Sequence, residues 1–352
     1  MADAKDATIR RYQDGDERPI TALFEEVFGE PKPVDRWRWQ YRDHPRGASW
    51  ITVAERDGRL VGHNGLMREH VNFNGREVVA GQESDAMITE AARGGGLYSR
   101  LGIAGHAQAA ESGARALFSF PSRNSSPGSY PLLIRRLGHR RIANLRHFSR
   151  RVGVRSILGA AGGRVAKLVT TPVADVRLAV TFARGYGGLT VDVSHAIPAD
   201  CDEALKQIHD YEVLAIWKDR PYLQWRYERS PSRQYLVFAL RRDGVTHGLV
   251  VGRVRGDTLA LCEVLHRRKD VRETAYLLQR VVRHARRLPV DRVEFHGFDN
   301  GFFEAAFDRA GFTREAFSRY IFIGKVMGDP ELEQYFYHAP NWSISWGDGD
   351  EL

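Results

Sequence analysis

The segment Met87-Ile88-Thr89-Glu90-Ala91-Ala92-Arg93-Gly94-Gly95-Gly96-Leu97-Tyr98 is the part of the sequence best suited to hold a ligand. Three glycines allow a sharp backbone turn and let a ligand approach the main chain with no Cβ in the way. A helix starting after them has first-turn N–H groups without internal partners, which can hold phosphate oxygens with help from the helix dipole. No Gly-Lys-Ser/Thr follows, so this is not a Walker loop, and it does not fit the dinucleotide fingerprint GxGxxG. Immediately upstream, Gly81-Gln82-Glu83-Ser84-Asp85-Ala86-Met87-Ile88-Thr89 reads as a strand. Alternation places Glu83, Asp85 and Met87 on one face and Gln82, Ser84, Ala86 and Ile88 on the other. Two carboxylates just before an anion-holding turn are candidate general bases, acting directly or through water. The competing reading is salt bridging to nearby arginines.

The elements that must position these residues occur twice. WQYRDHPRGASWITVAERDGRLVG begins at Trp39, and WRYERSPSRQYLVFALRRDGVTHG begins at Trp225. Trp39/Trp225, Tyr41/Tyr227, Pro45/Pro231, Arg56/Arg242, Asp57/Asp243, Gly58/Gly244 and Gly62/Gly248 match at a single offset of 186 residues, so the chain reads as a tandem duplication. Each half starts with a short strand (9–12; 189–193), a helix (18–28; 202–216) and an aromatic helical segment. Strands follow, joined at Asp57-Gly58 or Asp243-Gly244, both strong hairpin signals. The first half continues through strands 65–72 and 77–89, turning at Asn74-Gly75. Helix 97–112, strand 115–120 and a helix ending at Gly138 complete it. The second half continues with helix 271–287, strand 292–296 and helix 302–310. Strands followed by β-α-β-α predict an α/β chain of the α+β kind, with mixed, mostly antiparallel sheets flanked by helices. The expected domains are 1–150 and 188–328, with a connector at 151–187 and an aromatic, acidic tail at 329–352.

Composition sets outer bounds. The chain has 352 residues, 43% hydrophobic and 27% charged, which excludes global disorder or a fibrous rod. No apolar run reaches membrane-span length and the N-terminus lacks an apolar stretch, so a cytoplasmic protein without membrane contact is expected. Cys201 and Cys262 cannot build a disulfide framework, and the scattered histidines show no metal spacing, so no metal is expected. The formal charge of +8 favours an anionic partner, and eight arginines with no acid lie between Arg135 and Arg155. That run is either a solvated basic face or a phosphate-binding patch; nucleic acid is the less favoured occupant.

The glycine corner, with the order of elements around it, resembles the GCN5-related N-acetyltransferase (GNAT) superfamily, more narrowly its bacterial tandem-domain members. The family's acetyl-CoA loop, Arg/Gln-x-x-Gly-x-Gly/Ala, is matched by Arg93 and Gly96, with Tyr98 in place of the final small residue. The resemblance covers about residues 8–150 and 188–326. It implies acetyl-CoA as co-substrate, held by Met87, Ile88, Thr89, Arg93, Gly94, Gly95, Gly96, Leu97 and Tyr98, with Asn124 and Ser126 at pantetheine- or phosphate-binding positions. It also implies transfer to a primary amine of a small molecule or amino sugar, with Asp85 ahead of Glu83 as base. The family's usual tyrosine acid falls at Ile134; Tyr130, one helical turn earlier, is the substitute candidate. His63 and Asn64 are expected to line the acceptor cleft, and Trp342 to dock the tail so that Asp348 and Asp350 can meet a cationic acceptor. Trp37, Trp39 and Tyr41 are expected in the helix–sheet core. The corresponding corner of the second half, HRRKDVRETAYLL, has no glycine, so only the first half is expected to bind acetyl-CoA. Two other readings stay open here: an aminoacyl-tRNA-dependent ligase, and a non-catalytic CoA- or nucleic-acid-binding module.

Overall fold

In a computed structural model, the structure describes residues 7–121, 129–152, 186–231, 233–315 and 320–349. The first half consists of β1 (Thr8–Arg11), α1 (Glu17–Phe28), α2 (Val34–Tyr41), β2 (Trp50–Arg56), β3 (Arg59–Phe73) and β4 (Arg76–Ile88). It goes on through α3 (Leu97–Glu111), β5 (Ala116–Ser119), α4 (Ser129–Arg135), β6 (Arg140–Asn144) and β7 (Arg146–Arg151). The second half repeats the order with β8 (Leu189–Ser194), α5 (Asp202–Tyr211), β9 (Leu214–Ile216), α6 (Arg220–Leu223) and a π turn, Gln224–Glu228. Then come β10 (Leu236–Arg242), β11 (Val245–Arg255), β12 (Thr258–His266), α7 (Val271–Ala285), β13 (Arg292–Phe298), α8 (Phe302–Arg309), β14 (Thr313–Glu315) and β15 (Ile321–Val326). The tail forms α9 (Pro330–Phe336) and β16 (Trp342–Ser345).

The hairpins form at the expected dipeptides. Asp57-Gly58, Asn74-Gly75 and Asp243-Gly244 each place both residues at positive φ, as a type I′ turn needs. The helix expected over 202–216 stops at Tyr211, because Leu214–Ile216 pairs as a strand with Val71–Phe73 of β3.

The two sheets exchange their last strands. In the first, β1 to β4 run antiparallel in sequence order and β5 joins β4 in parallel. The next strand is β15 from the second half, antiparallel to both β5 and β6. In the second sheet β8, β10, β11 and β12 are antiparallel, and β13 is parallel to β12. There the next strand is β7 from the first half, antiparallel to β13 and β14. Each half thus lends the strand that continues the other's sheet beyond its parallel pair.

The duplicated tryptophans sit where the halves meet. The Trp39 and Trp225 rings stack with centroids 4.9 Å apart. Each indole N–H donates to the other's backbone carbonyl, Trp39 Nε1 to Trp225 O at 2.9 Å and Trp225 Nε1 to Trp39 O at 3.0 Å. Both side chains are buried in a core that includes α1, α2, α5 and the tail. Replacing Trp225 with alanine removes the stack and leaves a buried carbonyl unpaired, so it is expected to cost about 3–5 kcal/mol. Urea unfolding monitored by circular dichroism checks this; a loss under about 1 kcal/mol would mean that the halves are held together elsewhere.

Candidate active site

The β4 strand does not keep its alternation. Its register with β3 shifts between His63 and Gly65, and Asp85 within the bulge has φ +49°. Positive φ is unusual for a non-glycine residue and bulges re-aim side chains. The expectation that Glu83 and Asp85 share a face is therefore corrected. Asp85 turns with Ser84 toward α2, where the Tyr41 hydroxyl donates to Asp85 Oδ2 at 2.7 Å and also lies 3.2 Å from Ser84 Oγ. Glu83 turns toward α3, with Oε1 2.5 Å from His106 Nε2.

Asp85 is held by an ion pair with Lys32, which lies just before α2 and is itself buried. Burial pushes the Asp85 carboxyl up; the Lys32 charge, with hydrogen bonds from Lys32 and Tyr41, outweighs that and holds it below the ordinary range. The Lys32 ammonium also faces the rings of Phe24 and Tyr41, at 4.9 and 5.4 Å from their centroids. His63 lies beneath the bulge, with Nδ1 2.8 Å from the Asp85 carbonyl oxygen. Burial pushes its pKa down to about 4, so the ring is neutral at pH 7.

Of these residues, Glu83, Ser84 and Asp85 border a cavity of about 640 Å³ between β4, the glycine corner, α1 and α4. Glu83, Asp85, Met87, Ile88, Arg93, Gly94, Gly96, Leu97 and Tyr98 all line it, while Thr89 and Gly95 lie in the same stretch without lining it. The corner has the expected form, with φ of +100°, +55° and +75° at Gly94, Gly95 and Gly96. A Cβ placed on Gly94 or Gly96 would meet nothing within 4 Å, so the main chain there is open to a ligand. Gly96 is the N-cap of α3, no side chain caps that helix, and its first turn carries no acid. An open helix N-terminus beside Arg93, with room for a pyrophosphate, fits CoA. Phe120 on the opposite wall is backed by Phe322 of β15, 5.0 Å between centroids, so the exchanged strand supports the cavity.

The second half has the same framework closed. Offset 186 takes Lys32 to Lys218 and Tyr41 to Tyr227, and the pairing of Gly62 with Ile88 and Gly248 with His266 takes Asp85 to Glu263. Tyr227 donates to Glu263 at 2.7 Å, and Lys218 Nζ lies 2.9 Å from Glu263. The tail fills the remaining space: Asp348 reaches Lys218 Nζ at 2.7 Å and accepts from the Ser345 N–H at 2.8 Å, while Arg226 donates to the Gly349 carbonyl. Burial beside Glu263 pushes the Asp348 carboxyl up to about 7 even with Lys218 in contact. At the corner itself, the α7 N–H groups of Arg272 and Glu273 are taken by the Asp270 side chain. An anion has no free helix N-terminus there.

Other sequence candidates lie outside the cavity lining. Tyr130 packs with Leu133, Leu137, Ile134 and Ile323, while Leu132 and Leu133 of the same helix line the wall. His63 and Asn64 are buried, Asn64 against Gly105 of α3. Trp342 is buried between Phe322 and Phe336, and Asp348 is spent on Lys218, both away from this cavity. Asn124, Ser126 and Asp350 lie outside the described residues. Trp37, Trp39 and Tyr41 are buried as expected. Burial pushes the Cys201 and Cys262 thiols up to about 12, which makes them unreactive. Part of the arginine run is engaged in the structure: Arg146 pairs with Glu304, Arg150 donates to the Ala310 carbonyl, and Arg140 lies over Tyr337. Among the described residues, no helix is long and apolar enough to cross a membrane. Lys32, His106 and His139 were not singled out from the sequence; extending offset 186 seven residues before Trp39 finds Lys32, but no spacing marks the histidines.

Known proteins share this fold. Residues 8–131 match a family model described as an acetyltransferase (GNAT) domain. A comparison with curated protein sequences finds no match. A GCN5-related N-acetyltransferase from Anabaena variabilis superposes with a TM-score of 0.63 at 9% identity, over 91% of this chain and 72% of that one. An Enterococcus faecalis protein described as a probable N-acyltransferase gives 0.61 at 12% identity, over 91% and 72%. A tandem GNAT protein from the clavulanic acid biosynthesis pathway gives 0.54 at 14% identity, over 92% of this chain and 99% of that one.

The Lys32–Asp85 pair gives a direct test of the site's electrostatics. Lys32→Met strands a buried carboxylate and is expected to cost about 3–5 kcal/mol at pH 7. In the wild type the depressed Asp85 pKa contributes stability above the ordinary carboxylate range, and that contribution is lost as pH falls. In the variant Asp85 takes up a proton more readily, so the deficit shrinks toward pH 4. Urea unfolding of both proteins across pH 4–8 measures it, and a deficit independent of pH would contradict the pairing.

Proposed function

We propose that this chain, whose residues 8–131 match an acetyltransferase (GNAT) domain model, is an acetyl-CoA-dependent N-acetyltransferase acting on the primary amine of a small molecule or amino sugar. The observation that carries this reading is the uncapped N-terminus of α3, which opens on a cavity walled by the β4 carboxylates. The N–H groups after Gly96, with Arg93, suit the pyrophosphate, and the segment Met87–Thr89, at and just past the end of β4, leads from them toward Asp85. Bound acetyl-CoA supplies the thioester whose acetyl group is transferred.

Asp85 is the proposed base. It is ionised, borders the cavity, and its geometry is fixed by Tyr41 and Lys32. It accepts, directly or through one water, the proton that the neutral amine nitrogen sheds once its attack on the thioester carbonyl has made that N–H acidic. As the C–N bond forms and the C–S bond breaks, the departing sulfur needs a proton. Tyr130, one helical turn before Ile134, where the family's usual tyrosine would fall, is the substitute candidate. Tyr98 is a second hydroxyl, and it lines the cavity; burial, then the Glu83 charge, raises its pKa so that it keeps its proton at pH 7. The second half contributes β15 behind Phe120 and keeps its own cleft filled by the tail.

The test is thiol release from acetyl-CoA with a panel of amino sugars and small amines, without RNA. Turnover with at least one amine is expected, and Asp85→Asn is expected to lower kcat by about 10²–10⁴-fold with little change in KM for acetyl-CoA. Turnover that requires added tRNA, or an Asp85→Asn enzyme working at the wild-type rate, would overturn the reading.

A further inference from the structure

We propose that Glu83, His106 and His139 bind one divalent transition-metal ion, zinc by the donor set, which fastens β4, α3 and the end of α4 together around the cavity. The three residues come from separate elements: Glu83 from β4, His106 from the middle of α3, and His139 from the turn after α4, where its own N–H bonds to the Leu133 carbonyl at 3.0 Å. All three are buried, and one potential ligand atom from each lies within 4.8 Å of the other two. Glu83 Oε1 is 2.5 Å from His106 Nε2 and 3.7 Å from His139 Nε2.

The second observation is His139 itself. Its side chain has no exposed surface, and neither ring nitrogen finds a hydrogen-bond partner of normal geometry among the described residues. Leaving an imidazole so placed is costly, because each buried polar atom has given up water for nothing. A cation shared by the three residues removes that cost, since a neutral imidazole nitrogen and a carboxylate oxygen are both metal donors. Zinc bonds of about 2.0 Å in a tetrahedral site put neighbouring donors about 3.3 Å apart. Insertion therefore lengthens the Glu83–His106 contact and shortens the Glu83–His139 contact, each by less than about 1 Å. Glu83 also lines the cavity, so the remaining coordination position can be filled from that side. Two imidazoles and one carboxylate suit zinc better than magnesium or calcium, which prefer all-oxygen sites.

A second group, His147 with Glu294 and His296, is less suited. Its imidazoles stack face to face at 4.3 Å with an 8° interplanar angle, so their lone pairs lie in parallel planes, and Glu315 already holds His147 Nδ1 at 2.8 Å. It serves as the internal control. The proposal departs from the metal-free expectation of the sequence, and it does not depend on acyl transfer.

The test is metal binding to chelator-treated protein. Zinc is titrated against a chromophoric chelator, and cobalt(II) is followed by its visible ligand-field absorption. One equivalent of zinc that outcompetes the chelator is expected, with cobalt bands of a four- or five-coordinate site and a Tm raised by several degrees. His139→Ala and Glu83→Gln should each abolish this binding, while His147→Ala keeps it. If His139→Ala does not fold, Glu83→Gln decides, and the wild-type cobalt spectrum decides without any variant. No zinc bound in competition, a cobalt spectrum of the six-coordinate aqua ion, or binding unchanged in the Glu83 and His139 variants would overturn the proposal.

Discussion

The reciprocal loan of strands between the halves is the constraint from which the rest of the structure follows. β5 ends the first half's own run of strands, and its free edge is covered by β15, which lies about 200 residues further along the chain. β13 is covered in the same way by β7. An uncovered edge would expose unpaired backbone groups and one face of the Phe118–Phe120 wall. Neither half can therefore complete its core alone, and the Trp39–Trp225 pair fixes the two at one relative position. A cavity whose wall is braced across that junction needs both halves, even though its polar residues come from the first.

Within this frame the duplicated framework has diverged in a simple physical way. Both copies keep a buried lysine, a tyrosine on the aromatic helix and an acid on the fourth strand of the hairpin series. In the first copy the acid, Asp85, borders an open cavity with an uncapped helix N-terminus. In the second, Asp348 supplies another carboxylate to Lys218, and Asp270 occupies the helix N-terminus. The helix N-terminus is left uncapped by side chains on one side and capped by Asp270 on the other.

Much of this was legible in the sequence because it depends on local pattern. The duplication shows at one offset, the type I′ turns show as Asp-Gly and Asn-Gly, and the corner shows as three glycines before a helix. The absence of glycine between His266 and Val271 already separated the halves. The strand exchange was not legible: β5 pairs equally well with any strand of suitable polarity, and the choice is made by burial across the whole molecule. The split of Glu83 from Asp85 was also hidden, since an aspartate at positive φ in a bulge reads like any other strand residue. Glu83, His106 and His139 are brought together by helix packing that leaves no mark in their spacing. The tail was read as docking through Trp342, which it does, but its Asp348 meets Lys218 of the chain itself rather than a cationic acceptor.

The central claim is that one cofactor site exists per chain and lies at the first half's glycine corner. Calorimetric titration with acetyl-CoA tests it most directly, comparing the wild type with Gly96→Glu, whose carboxylate would stand in the cavity at the phosphate-binding end. The account requires one equivalent bound by the wild type and none by a folded Gly96→Glu protein. Two equivalents, or undiminished binding in the variant, would place the cofactor elsewhere and contradict it.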